Sequence, residues 1–147
     1  MSKTYRYTHM VFGTKGRQKT INKAHKEDLL KYIFTLLQNK GNYVYRINAM
    51  EDHVHLFFDR NASMLESEIA QFVKGASSHW MKKSGLFPQF EGWAKEYFCG
   101  SISSWDKDRI INYVANQEHH HAGMTFVDEI KRLYASAGLR WDDRDFL

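Results

Sequence analysis

Apolar and polar residues follow regular patterns along this chain, and the patterns predict eight secondary-structure elements. Period-two alternation, typical of strands, occurs in residues 4–12 and 43–47. Residues 53–58 include a short apolar run with strand character, and residues 93–102 contain aromatic strand formers. Spacings of three and four residues, typical of helices, occur in residues 23–39, 63–84, 103–117 and 125–134. The predicted order is therefore β-α-β-β-α-β-α-α.

Turn and cap residues set the predicted boundaries. Gly41 follows the first helix and suits the left-handed conformation that ends many helices. Ser63 and Glu66 have the spacing of a capping box, which predicts the start of the second helix. Thr125 is placed to cap the last helix. The short polar segment 48–52 predicts that the second and third strands form a hairpin.

The order of elements predicts the fold class. Strand, helix, hairpin, helix and strand in succession form the split βαβ arrangement of ferredoxin-like domains. We therefore predict an α+β fold in which an antiparallel sheet has helices on one face, with extra helices towards the C-terminus. The other face of the sheet would be open for functional side chains. A chain of 147 residues suffices for a single domain with one core.

Cysteine content and hydropathy indicate the compartment. Cys99 is the single cysteine, so no internal disulfide can form and a reducing environment suits the chain. We expect Cys99 to be a buried thiol rather than a nucleophile. No run approaches the roughly 18 apolar residues of a membrane span. These features predict a cytoplasmic protein without a membrane partner.

The net charge of +4 permits a polyanionic partner without requiring one. Lys15, Arg17 and Lys19 crowd one predicted loop beside Gly13 and Gly16. This loop either contacts an anion or is a solvated surface turn.

His53 and His55 are the strongest candidates for chemistry. On a strand they project from the same face, where two neutral imidazoles can bind one metal ion. With 8 histidines in 147 residues, His-x-His is expected by chance roughly 0.4 times, so the pair needs partners elsewhere. Asp52 either orients His53 as a hydrogen-bond acceptor or is an ordinary turn residue.

Tyr113 and Gln117 lie four residues apart on the predicted third helix. They are about 40° apart around the helix axis and therefore share a face. The other seven tyrosines occur in strand or helix patterns that favour packing roles. The tract from His119 to His121 either binds a metal or complements the dipole at a helix C-terminus, and we favour the second interpretation.

Four segments together resemble the single-tyrosine HUH transposases of the IS200/IS605 class, over nearly the whole chain. They are Val11 to Arg17 (VFGTKGR), Glu51 to Leu56 (EDHVHL), Phe72 to Ser78 (FVKGASS) and Tyr113 to His120 (YVANQEHH). The resemblance implies one IS200-like transposase (HUH endonuclease) domain over residues 1–147, with the ferredoxin-like fold that the order of elements also predicts.

The resemblance also implies a mechanism. His53, His55 and Gln117 would be metal ligands, and Tyr113 the nucleophile that forms a 5′-phosphotyrosine and frees a 3′-hydroxyl. Two imidazoles and one amide oxygen leave positions free on Mg²⁺ or Mn²⁺ for a phosphate oxygen. The phenol must lose its proton to attack, and the sequence does not identify the base.

The partners implied by the resemblance are single-stranded DNA with a hairpin at the element ends and a second copy of the chain. Such an enzyme would act at the nucleoid of a prokaryotic cell. Four basic residues are candidate phosphate contacts: Lys15, Arg17, Lys74 and Lys82.

Three alternatives stay open at this point. A domesticated REP-associated tyrosine transposase would use the same chemistry. A non-cleaving nucleic-acid-binding module could retain the basic loop while losing the metal site. A zinc hydrolase is disfavoured, because glutamine is a poor zinc ligand and a tetrahedral set would need the tract at His119 to fold back.

Overall fold

The computed structural model describes residues 1–146, and its framework is a four-stranded antiparallel sheet. The strands are β1 (Tyr7–Thr14), β2 (Tyr43–Ala49), β3 (His53–Asp59) and β4 (Trp93–Ser101), in the spatial order β2-β3-β1-β4. The helices are α1 (Lys26–Asn39), α2 (Glu66–Ser84), α3 (Lys107–Ala115), α4 (Gln117–His120) and α5 (Phe126–Ser136). Single 3-10 turns occupy Lys15–Arg17, Lys23–His25 and Ser104–Asp106.

The predicted fold class is confirmed. The strands β2 and β3 form the predicted hairpin, and β1 pairs antiparallel with both β3 and β4. One face of the sheet packs against α1 and α2, and this layer contains the main core. Its buried members alternate along the strands and recur at helical spacing: Met10, Phe12, Val54, Leu56, Phe58, Leu29, Ile33, Leu37, Ile69, Val73 and Met81.

The second face of the sheet is covered, and the expectation of an open face was wrong. Val11 packs with Phe126 and Ile130 of α5, while Phe57 packs with Ile110 and Val114 of α3. Apolar residues on this face of β1 and β3 require burial, and the C-terminal helices provide it. The histidines on the same face are therefore enclosed.

Several boundaries differ from the predictions. The strand β1 begins at Tyr7, three residues later than expected, and continues to Thr14, whose N–H donates to the Asp52 carbonyl at 2.9 Å. The capping box at Ser63 is absent, because α2 begins at Glu66 and the Glu68 carboxylate accepts from the Leu65 N–H at 2.9 Å.

The predicted third helix is interrupted. Asn116 has φ −100° and ψ 27°, so α3 ends at Ala115 and Gln117 begins the short helix α4. Two other boundary predictions are confirmed. Gly41 has φ +78°, and the Thr125 hydroxyl accepts from the Asp128 N–H at 3.2 Å.

Within residues 1–146, none of the helices is long and apolar enough to cross a bilayer.

Gly13 allows α5 to approach the sheet closely, and a substitution there tests this contact. A Cβ at Gly13 would lie 2.8 Å from Cε2 of Phe126, a buried ring that cannot move aside freely. Gly13→Ala should therefore lower the free energy of unfolding by about 1–3 kcal/mol, measured by urea denaturation.

Gly75 on α2 is the matched control, because a Cβ there meets nothing within 4 Å. Gly75→Ala should raise the free energy of unfolding by about 0.5–1 kcal/mol, since alanine is the better helix former. Equal effects of the two substitutions would contradict the close approach of Phe126 to the sheet.

The thiol of Cys99 gives a second prediction. Burial and the nearby Glu66 carboxylate raise the pKa of Cys99 to about 12. Because the thiolate is the reactive form, iodoacetamide at about pH 8 should modify the native protein at least about 100-fold more slowly than the urea-unfolded chain. Mass spectrometry of quenched samples measures both rates, and similar rates would mean that the folded protein exposes an ionisable thiol.

Candidate active site

His53 and His55 lie on the same face of β3, and both side chains are fully buried. A neighbour fixes each ring from behind: Asp52 Oδ1 lies 2.6 Å from His53 Nδ1, and His9 Nε2 lies 2.9 Å from His55 Nδ1. The expected contact between Asp52 and His53 is therefore present. Because the Nδ1 atoms are occupied, the two Nε2 atoms are the ones that face the site.

The carboxylate of Glu129 lies at the centre of the site. Its Oε1 is 3.1 Å from Nε2 of His53, 3.2 Å from Nε2 of His55 and 2.9 Å from Nε2 of His121. Its Oε2 accepts from the Tyr113 hydroxyl and, at 2.9 Å, from the Gln117 amide N–H. One buried carboxylate on α5 thus connects five side chains from β3, α3, α4 and the turn after α4.

The helix α5 positions Glu129. Thr125 caps this helix, and the Phe126 ring stacks on the His53 ring with centroids 4.2 Å apart and planes 9° from parallel. Ile130, the next residue, is buried between α5 and the sheet. Glu129 was not predicted as a site residue, although the sequence contains a signal for it. It lies three residues after Phe126 and next to Ile130, so a carboxylate interrupts the apolar face of a predicted helix.

Tyr113 reaches the site from α3. Its hydroxyl donates to Glu129, and its ring centroid is 5.7 Å from that of His55. Burial, followed by the charge of the Glu129 carboxylate, raises the pKa of Tyr113. The phenol is therefore protonated at neutral pH in this arrangement.

Gln117 lies between the tyrosine and the histidines. Its Oε1 is 3.2 Å from Nε2 of His53, and its amide N–H groups face Glu129 and the Tyr113 carbonyl. The four residues that the sequence singled out for catalysis and metal binding thus meet within one chain: His53, His55, Tyr113 and Gln117. The break in the helix at Asn116 does not separate them.

Burial and hydrogen bonding set the charges of the site. Burial alone would lower the pKa of His53, but hydrogen bonds to Asp52 and Glu129 raise it above the ordinary value. Burial lowers the pKa of His55, and burial with the neighbouring His55 lowers that of His9 to about 3. Burial alone would raise the pKa of Glu129, but its histidine partners hold it well below the usual range. An ionised carboxylate therefore faces one imidazole that favours the charged form.

The donor atoms fit a divalent cation. Among residues 1–146, one nitrogen each from His53 and His55 and one carboxylate oxygen of Glu129 all lie within 4.8 Å of one another. Two imidazole nitrogens and a carboxylate oxygen are common ligands of divalent metals. We refer to His53, His55 and Glu129 as the His-His-Glu cluster. The amide oxygen of Gln117 is adjacent to it.

We favoured a role for the tract from His119 to His121 at the C-terminus of a helix, but one of its histidines lies in the site. His119 is exposed, but His121 folds back towards the site and contacts Glu129 Oε1 at 2.9 Å and the Met124 carbonyl at 2.7 Å. The ring of His120 lies 4.8 Å from that of Tyr113. The turn after α4 places His121 there, and sequence spacing alone did not reveal that turn.

Three of the four candidate phosphate contacts share one groove of about 510 Å³. Lys15, Lys74 and Lys82 line it together with Lys95, and we call it the lysine groove. Gly75 and Gly92 also line it without adding side chains. The groove is at the same end of the sheet as His53, because His53 pairs with Gly13 while Trp93 of the groove pairs with Thr14.

Arg17 does not join the other three basic residues in lining this groove. Its guanidinium donates to the Asp143 carbonyl at 3.3 Å.

Comparisons with known proteins agree with this architecture. The crystal structure of a protein from Deinococcus radiodurans R1 assigned as a transposase has a TM-score of 0.62 and 22% identity, over 80% of this chain and 95% of that one. A REP-associated tyrosine transposase bound to a REP hairpin has a TM-score of 0.63 and 12% identity, over 84% of this chain and 74% of that one.

Sequence comparisons give a more specific result. No curated protein matches this chain. The sequence model of the family described as "Transposase IS200 like" matches residues 2–117, which is most of the chain. This protein therefore belongs to the IS200-like transposase family.

Proposed function

We propose that this protein is a metal-dependent transposase that cleaves and rejoins single-stranded DNA through a 5′-phosphotyrosine at Tyr113. The observation that carries the proposal is the meeting of the Tyr113 hydroxyl with the His-His-Glu cluster inside one chain. The phenol oxygen is the nucleophile of the site, and the ligand atoms beside it suit an ion that would bind a phosphate.

The proposed reaction conserves the phosphoester. The Tyr113 oxygen forms a bond to phosphorus while the bond from phosphorus to the 3′-oxygen breaks, which leaves a free 3′-hydroxyl. In the reverse step a 3′-hydroxyl, from this or another strand, attacks the phosphorus. A new bond from the 3′-oxygen to phosphorus forms while the bond to the Tyr113 oxygen breaks, so no nucleotide cofactor is required. Cutting and joining use one site.

The chain's own residues prepare this reaction. Asp52 and His9 orient the two imidazoles, and the Phe126 ring covers His53 and excludes water from it. The Tyr113 hydroxyl already donates to Glu129 Oε2, and this hydrogen bond orients the phenol oxygen beside the cluster.

We infer that Mg²⁺ or Mn²⁺ would be held by His53 and His55 with a carboxylate oxygen of Glu129 as the third ligand, and with Gln117 as the adjacent candidate ligand. The ion would polarise the scissile phosphate and stabilise the leaving 3′-oxygen. A cavity of about 430 Å³, lined by Asp52, His121 and Phe126 among others, adjoins the cluster.

The proposed substrate is single-stranded DNA that carries a hairpin at the element ends. The similar REP-associated enzyme is bound to a REP hairpin, which supports this substrate class. Lys15, Lys74 and Lys82 would contact phosphates along the lysine groove, and the separate position of Arg17 makes it the weakest of the four candidates.

We further propose that residues 1–147 act as one catalytic domain at the nucleoid and that two copies cooperate. One tyrosine permits one covalent link, whereas moving an element requires that two cut ends be held. A domesticated REP-associated enzyme would use the same site. The fold is common to both solved structures, so it does not distinguish the two histories.

The nucleophile is tested with a labelled library of random single strands that contain a fixed hairpin, incubated with Mn²⁺. Wild-type protein should form an adduct that survives on a denaturing gel, and Tyr113→Phe should form none, because only the phenol oxygen becomes the phosphoester. Tyr32→Phe is the matched control on α1 and should form the adduct normally. An adduct in Tyr113→Phe would exclude this tyrosine as the nucleophile.

The third ligand is tested by titrating Mn²⁺ and recording the free ion by electron paramagnetic resonance. His55→Ala should abolish binding, and Glu129→Gln should weaken it by about tenfold or more, because it removes a ligand charge. Gln117→Leu should have a smaller effect. The opposite ranking of Glu129→Gln and Gln117→Leu would restore Gln117 as the third ligand, and tighter binding of Zn²⁺ without adduct formation would favour a hydrolase.

A further inference from the structure

Four tyrosine rings form a continuous row at the end of the sheet away from His53. The ring centroids of Tyr5 and Tyr7 are 4.7 Å apart, those of Tyr7 and Tyr45 are 5.7 Å apart, and those of Tyr45 and Tyr43 are 4.9 Å apart. We call these four residues the tyrosine row. The rings of Tyr7 and Tyr45 both lie beside Phe57, which is two residues from His55 on β3. The row is therefore on the same face of the sheet as the histidines.

Packing accounts for the inner rings of the row but not for the outer ones. Tyr7 and Tyr45 are half-buried against the small cluster around Phe57. Tyr5 and Tyr43 are 54% and 66% exposed, so each end of the row presents an aromatic ring to solvent. Flat rings in this position offer stacking surfaces to an unpaired base.

A positive charge accompanies the rings. The Lys107 ammonium lies 5.7 Å from the centroid of the Tyr7 ring and 5.1 Å from that of Tyr45. Lys107 is the first residue of α3, and Tyr113 is six residues further along the same helix, about 9 Å by helical rise. The row and its cation therefore lie within a short distance of the nucleophile, along the helix that carries it.

We propose that the tyrosine row is a binding site for unpaired bases of the single-stranded DNA that flanks the cleaved phosphate. Bases stack on the exposed rings of Tyr5 and Tyr43, and Lys107 attracts the backbone phosphate. The site rests on the proposed function, because it extends the path of the strand away from Tyr113. Stacking on tyrosine is tolerant of base identity, so the row contributes affinity and position rather than sequence preference.

Single-stranded DNA fits the row better than a protein partner does. A cation beside aromatic rings complements a polymer in which flat bases alternate with negative phosphates. Lys107 also connects the row to α3, the helix that carries Tyr113. A second copy of this chain is the competing occupant, and the experiment below distinguishes the two.

The experiment measures fluorescence anisotropy in the presence of EDTA, so that binding is separated from cleavage. Two labelled probes of equal length are compared: an oligothymidylate and an abasic strand with the same phosphates. Tyr5→Ala and Tyr43→Ala should each weaken binding of the oligothymidylate about fivefold or more and leave binding of the abasic strand unchanged. Tyr43→Phe should bind like wild type, because it keeps the ring.

Leu65→Ala is the matched control for loss of exposed apolar surface, because Leu65 is 61% exposed just before α2. It should bind both probes like wild type. Equal losses on the two probes, no loss on either, or weak binding by Tyr43→Phe would each overturn the proposal. Sedimentation without DNA adds a further arm, since a dimer that Tyr43→Ala dissociates would make the row a protein interface and overturn it as well.

Failure of this proposal is distinguishable from failure of the proposed function. Binding that depends on the row without any covalent adduct would remove the transposase chemistry and keep the base site. An adduct that forms through Tyr113, with DNA binding independent of the row, would support the transposase chemistry and exclude the base site.

Discussion

The carboxylate of Glu129 is the interaction on which the rest of this site depends. Burying a charge is costly unless hydrogen bonds compensate for it, and here Nε2 atoms from three histidines lie within 3.2 Å of one carboxylate oxygen. The other oxygen accepts from Tyr113 and Gln117. This single carboxylate thereby holds β3, α3 and α5 in their relative positions.

The sheet beneath this group explains how the arrangement is reached. Alternation along β1 and β3 divides each strand into a face for α1 and α2 and a face for α3 and α5. His9 and His55 lie on the second face among apolar neighbours, so their burial follows from the packing of Val11 and Phe57. The missing side chain at Gly13 then allows Phe126 to reach His53.

Local patterns predicted the elements well because strand and helix periods are properties of short segments. The order of elements up to the third helix, the hairpin and the caps at Gly41 and Thr125 were all correct for this reason. The covered second face was missed because apolar residues on β1 and β3 do not say which helix will cover them. That information lies in long-range packing.

The residues of the site also divide into those that local patterns predict and those that only long-range packing brings in. His53 and His55 could be found because a strand fixes their common face, and Tyr113 and Gln117 because a helix does. Glu129 and His121 were missed because they join the site through a turn and a docked helix. They also lie beyond residue 117, where the family match ends. A carboxylate inside the apolar stripe of a predicted helix was the available signal, and chemistry rather than periodicity would have identified it.

The helix α5 covers the sheet and also supplies Glu129, the carboxylate of the site. Because of this double role, ion affinity depends on whether α5 is docked on the sheet. Whatever ion the His-His-Glu cluster takes up, its binding energy must be referred to the docked state of α5, because Glu129 leaves the cluster if α5 leaves the sheet. Ion affinity and the docking equilibrium of the C-terminal helix are thermodynamically linked. Substitutions at the remote apolar contacts of α5, such as Ile130, would therefore change how strongly the His-His-Glu cluster binds an ion, without altering any ligand atom.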